Sequence, residues 1–140
     1  MEIVRARYQT SCKTLKQLNS SLEKLNDKSL KEIHDLMRNA VIKCFEYSTN
    51  TFYYFLKTYL TETLKISLKD ASPQHIFFVS LQEKLLIEKE YSILEKIFKN
   101  RDLIVSNYSI DLAESISENA GAYYQVMHTI TERFSEILKQ

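Results

Sequence analysis

Met37-Arg38-Asn39-Ala40-Val41-Ile42-Lys43-Cys44-Phe45-Glu46-Tyr47 lies at the centre of the stretch that decides the fold. Extended in both directions, Ile33, Met37, Ala40, Val41, Cys44, Phe52, Phe55 and Tyr59 recur every three or four residues and make one helical stripe. Ile42, Phe45, Tyr53, Leu56 and Leu60 widen that stripe beyond what a surface helix needs. The pattern predicts a helix from Ser29, which with Glu32 forms a capping-box signal, to Lys65. At about 1.5 Å per residue such a helix spans a whole domain. It buries two faces, against two neighbours in one bundle or against one neighbour and a second copy of the chain.

On either side the same spacing continues. Val4, Tyr8, Cys12, Leu15, Leu18, Leu22 and Leu25 put an amphipathic helix over residues 2 to 25, and Asn26, Asp27 and Lys28 interrupt it. Ser72 and Pro73 suit the N-cap and first position of a third helix, carrying Ile76, Phe77, Leu81 and Leu85. Tyr91, Leu94, Ile97 and Phe98 continue it past a bend expected at residues 87 to 89. Ser109 caps a last helix whose stripe runs from Ile110 through Ala113, Ile116, Ala120, Tyr123, Met127, Ile130 and Phe134 to Leu138. Asp111 in its first turn complements the helix dipole.

One glycine, Gly121, and one proline, Pro73, are too few for a protein of many tight turns. The expected fold is therefore all-α: an up-and-down antiparallel four-helix bundle with a short extra helix, residues 1–140 forming a single domain. Hydrophobic residues at 44% and charged residues at 26% suit a packed globule and not a disordered chain. A net charge of +1 argues against binding long duplex nucleic acid through bulk charge. Cys12 and Cys44 give neither a disulfide framework nor a zinc spacing. Residues 1–20 hold no continuous apolar run, and the longest bulky one, Ile76 to Val79, is far short of a membrane span. The reading is a cytoplasmic protein without membrane contact.

His34, His75 and His128 stand at no metal-ligand spacing, and no Gly-rich phosphate loop, Cys-x-x-Cys pair or Ser-His-Asp order is present. No metal or cofactor is expected. Phe52-Tyr53-Tyr54-Phe55 with Tyr59 has the aromatic character of a base-stacking platform, but only Lys57 lies close, which favours packing. Arg38, Asn39, Glu46 and Asn50 interrupt the apolar helix as solvated or interhelical polar contacts. The other polar concentration is Arg101-Asp102-Leu103-Ile104-Val105-Ser106-Asn107-Tyr108. Without further information Arg101 pairs with a carboxylate there and Tyr108 packs at a joint.

Three features in order resemble the nucleotidyltransferase substrate-binding protein family of the HEPN superfamily over residues 30 to 135: Arg38-Asn39-Ala40-Val41-Ile42 with Phe45-Glu46-Tyr47, Ser72-Pro73 at a helix start, and Arg101 through Tyr108. The resemblance implies a four-helix bundle that pairs as a homodimer and works with a separately encoded minimal nucleotidyltransferase, many such pairs being toxin-antitoxin-like. It implies that Arg101, Asn107 and Tyr108 meet a nucleotide, RNA or the partner's active site. Arg38, Phe45, Glu46, Phe52 and Tyr53 would lie on a partner or dimer face. HEPN ribonucleases carry Arg, four residues, His, one residue, Tyr, which falls here on Arg101, Ser106 and Tyr108. In some pairs the transferase places AMP on the signature tyrosine, which makes Tyr108 the modification candidate.

Ser106 stands where that signature has its histidine, so Arg101 and Ser106 form a degenerate catalytic pair. A serine hydroxyl is far too weak a base to replace an imidazole, and losing a general base forfeits about a hundredfold to ten-thousandfold in rate. On a continuous helix Ser106 would point about 140° away from Arg101. Convergence requires the helix to end near Val105, which the turn-forming Ser106, Asn107 and Ser109 favour. The alternatives are an active ribonuclease toxin whose base is His75 or His128, and a structural helical protein that binds no ligand.

Overall fold

The computed structural model describes residues 1–26 and 33–139. Its elements are α1 (Glu2–Leu25), α2 (His34–Thr58, continued by a π-helical turn, Tyr59–Thr63), α3 (Pro73–Gln82), α4 (Glu88–Ser106) and α5 (Ile110–Leu138). These are four long helices and one short one, as the periodicity requires. The Ser29–Glu32 capping box lies outside the described residues. None of the described helices is long and apolar enough to cross a membrane.

Side-chain contacts set the helix directions. The Thr14 and Thr51 hydroxyls lie 2.7 Å apart and Ser21 Oγ is 3.2 Å from Cys44 Sγ, so α1 and α2 run antiparallel. Arg101 meets Asn50 and Tyr108 meets Asn39, which makes α4 antiparallel to α2. Arg133 meets Glu90 and Asn100 meets Tyr123, which reverses α5 against α4. The result is an up-down-up-down bundle, with α2 and α5 on its diagonal.

The two apolar faces of α2 are both covered from within the chain. Phe55 packs edge-on against Phe134 at 4.8 Å and against Tyr8 at 5.6 Å. Phe45 meets the ring of Tyr123 at 6.0 Å, and Phe52 meets Phe77 of α3 at 6.3 Å. Phe45 and Phe52 are 0% exposed. Tyr53 is buried and its hydroxyl donates to the Ala71 carbonyl. Phe45, Phe52 and Tyr53 therefore do not form a partner or dimer face, because intramolecular neighbours already take their surfaces. The aromatic platform likewise becomes core, except that Tyr54 is exposed.

α3 starts as its residues dictate. Ser72 Oγ accepts the His75 backbone N–H, and Asp70 accepts both the N–H and the hydroxyl of Ser72 at 2.8 and 3.0 Å. Those two hydrogen bonds hold the Asp70 carboxyl below its ordinary pKa. Its end comes earlier than the bend expected at 87 to 89. Lys84 adopts the left-handed region (φ 62°) and the Leu85 N–H bonds the Ser80 carbonyl at 2.9 Å, a Schellman-type stop. Leu85 thus belongs to the connection. Lys65 (φ 55°) stands in the same left-handed region just beyond the π turn.

Glu90 closes the start of α4. One carboxylate oxygen accepts the Ile87 N–H at 3.0 Å and the other meets Arg133, whose Nη1 donates to the Leu85 carbonyl at 2.9 Å. A buried carboxylate is thereby paired and hydrogen-bonded, the condition under which burial of charge is tolerated.

Candidate functional site

The last two turns of α4 carry the site. The helix continues through Ser106 and stops where Asn107 leaves the helical region (φ −150°, ψ 76°), its N–H still bonded to the Leu103 carbonyl at 2.8 Å. Ser109 then caps α5, accepting the Leu112 N–H at 3.1 Å. Because the helix runs one residue past Val105, Arg101 and Ser106 keep their helical divergence. The convergence required of a catalytic pair does not occur.

Arg101 and Tyr108 face α2. Arg101 Nη1 donates to Asn50 Oδ1 at 2.6 Å, and Tyr108 Oη donates to Asn39 Oδ1 at 2.9 Å. Asn39 and Asn50 are eleven residues apart, about three turns, so they lie within about 20° on one side of α2 and about 16 Å apart along it. Glu46 falls between them on that side, its side chain 22% exposed and 3.6 Å from Lys43 Nζ. These residues form a polar seam between α2 and α4. Tyr108 is half exposed along it, while the Arg101 side chain is only 18% exposed.

Ser106 belongs to another surface. Its hydroxyl donates to the Asp102 carbonyl at 2.7 Å, and the residue lines a cavity of about 660 Å³ between α3 and α4 with Ser72, Phe77, Phe98, Lys99 and Asp102. Tyr108 is half exposed, whereas a purely structural joint would bury it. Neither His75 nor His128 lies on α4. His128 stacks on Tyr124 at 5.3 Å in a groove between α1 and α5, and His75 occupies the first turn of α3.

Two residues singled out in advance lie elsewhere. Arg38 does not reach a partner face. It is 7% exposed, pointing toward the start of α5, with Nη1 3.3 Å from Glu114 Oε1 and 3.3 Å from Asp35 Oδ1. Among the described residues its Nε and the Ser117 hydroxyl have no hydrogen-bond partner, and both residues line a cavity of about 360 Å³. Asn107 is exposed, and its structural part is the backbone stop of α4.

The carboxylate expected beside Arg101 is Asp102, whereas Phe98 was not anticipated there. Asp102 Oδ1 accepts from Arg101 Nε at 3.1 Å and from Nη2 at 2.5 Å. Phe98 lies beneath the guanidinium, 5.0 Å from ring centroid to Cζ. The signal for Phe98 was its spacing, three residues before Arg101 on one helix face. Nearby, burial pushes the Tyr53 phenol above its ordinary pKa, with Tyr54 and Asp70 adding to the shift and Arg101 opposing it.

The fold is thus an antiparallel helical bundle with a polar seam in which Asn50 and Asn39 of α2 meet Arg101 of α4 and Tyr108 just beyond it. Residues 6–136 match the family described as "Nucleotidyltransferase substrate binding protein like", and the chain belongs to that family. It is also similar to the crystal structure of a protein from Thermus thermophilus, with 27% identity and a TM-score of 0.75, over 88% of this chain and 97% of that one. No curated protein matches it.

Proposed function

We propose that this chain is the HEPN-type substrate-binding subunit of a two-component system, acting in the cytoplasm with a separately encoded minimal nucleotidyltransferase. The observation that carries the reading is the seam: a guanidinium and an accessible phenol aligned on α2 by Asn50 and Asn39. Arg101 is the residue to hold a phosphate, since its planar fork matches phosphate oxygens. Tyr108, half exposed, is the acceptor for AMP from the partner. Asn107 borders it and completes the surface offered to nucleotide or RNA. Ser106 is too weak a base and lines the α3 groove, so the chain is a binding subunit with weak or absent ribonuclease activity.

The chain pairs as a homodimer. Leu103, Val105 and Ile110, exposed at the α4–α5 corner, are among the apolar residues available for pairing. Light scattering at micromolar concentration tests this, and a monomer overturns it. Co-expression with the small nucleotidyltransferase of the neighbouring gene tests the main reading. The transferase should co-purify, and its failure to do so under every nucleotide condition counts against the proposal.

A further inference from the structure

We infer that the cavity of about 360 Å³ where the end of α1, the start of α2 and the first turns of α5 meet is a seat for a free α-amino acid, held through both of its charges. It is independent of the nucleotide reading, since it uses neither Arg101 nor Tyr108. The volume falls in the range of small-molecule pockets. Arg38 forms one wall, and its side chain is only 8% exposed. A guanidinium is tolerated at such burial when its N–H groups are paired. Nη1 is shared at 3.3 Å between Glu114 and Asp35, both well exposed and both farther than a close charge-assisted hydrogen bond. Nε has no partner among the described residues, and neither has the Ser117 hydroxyl in the same wall. Two donors without acceptors border one space, and the group that suits both is an oxyanion.

Charge decides what else the ligand carries. Glu114, Ser117 and Glu118 lie three and four residues apart on α5 and share one face. Glu118 has no hydrogen bond or ion pair among the described residues. The single positive charge of Arg38 therefore stands against Glu114 and Glu118 in the wall and Asp35 beside it. A simple anion meets this acidic excess, while a simple cation leaves the donors of Arg38 and Ser117 unmet. An uncharged ligand compensates neither. A zwitterion answers both, its carboxylate on Arg38 Nε and Ser117 and its ammonium on Glu114 and Glu118. In an α-amino acid the two charged groups sit on one carbon, and Arg38 and Glu114 are 3.3 Å apart, so the close spacing of opposite charges in the ligand matches that in the wall.

The test uses the full chain and its melting temperature in the presence of each common L-amino acid in turn, since a ligand of the folded state raises it by mass action. At least one should do so. Titration calorimetry then compares that amino acid with its two halves, the amine lacking the carboxylate and the acid lacking the ammonium. Each half should bind at least about tenfold more weakly, the effect of losing a hydrogen bond to a charged group. Ser117→Ala removes an unmet hydroxyl, so the ligand-free variant should melt no lower than wild type while its affinity for the amino acid falls about tenfold. Glu118→Gln should weaken the amino acid by a similar factor and tighten the acid half. No amino acid that raises the melting temperature, a half that binds as tightly as the whole, or unchanged affinity in either variant overturns the inference.

Discussion

Phe98→Leu probes the point at which core and site share one side chain. Phe98 is 4% exposed, and one side of its ring meets the edge of Phe77 at 4.7 Å and 68°. The guanidinium of Arg101 lies 5.0 Å from the ring centroid. Leucine keeps the site apolar and loses both π contacts. The edge-to-face pair contributes about 0.5 to 1.5 kcal/mol, the cation–π contact about 0.5 to 1 kcal/mol, and the imperfect fit costs up to about 1.5 kcal/mol. The expected loss is about 1 to 4 kcal/mol, read by urea denaturation as a lower midpoint with an unchanged slope. A double-mutant cycle with Arg101→Ala should isolate a coupling of about 0.5 to 1 kcal/mol. A coupling indistinguishable from zero would show that the guanidinium does not rest on the ring, and the fixed orientation of Arg101 would have to be abandoned.

Other perturbations address separate elements. Lys84→Gly should stabilise the chain by about 0.5 to 1 kcal/mol, since Lys84 holds a left-handed conformation (φ 62°) that glycine adopts without a Cβ clash; a lowered denaturation midpoint would refute the Schellman stop. Burial pushes Tyr8 up to about 12, and burial also raises Tyr53 and Tyr59. With folded pKa values above the unfolded value of 10, these phenols contribute stability that is complete below pH 10 and lost as pH rises toward 12. Melting temperatures should accordingly fall over that window, less steeply in Tyr8→Phe, and a flat profile would contradict the burial. Ser106→His should not create ribonuclease activity, because the imidazole would hang over the α3 groove; RNA cleavage that disappears on adding Arg101→Ala would show that the two positions do converge.

Much of the fold was legible because helix periodicity and caps are local signals. The stripe from Val4 to Leu25, the Ser72-Pro73 start and the Ser109 cap each mark a helix boundary that the structure contains. The stop at Lys84 was not legible, since lysine carries no turn signal and only the Leu85–Ser80 hydrogen bond reveals it. The Glu90–Arg133 pair joins residues far apart in sequence, which no spacing rule connects. The width of the α2 stripe correctly required two covered faces but did not say whether α3 and α5 or another copy would cover them. At the site, Arg101 and Tyr108 were legible as a pair, but Tyr108 lies past the end of α4, and Asn50 and Asn39 answer the two from α2. The role of Asp102 depends on a rotamer of Arg101 that one-dimensional spacing does not specify.

The central claim is that the α2–α4 seam serves a nucleotidyltransferase. It is tested most directly by the affinity of the purified chain for the neighbouring small transferase, with and without ATP, for wild type and for an Arg101→Ala, Tyr108→Phe double variant. The expected result is a stable complex for wild type and at least a tenfold weaker one for the variant, a change of about 1.4 kcal/mol. No complex under any nucleotide condition, or equal affinity for both proteins, would contradict it.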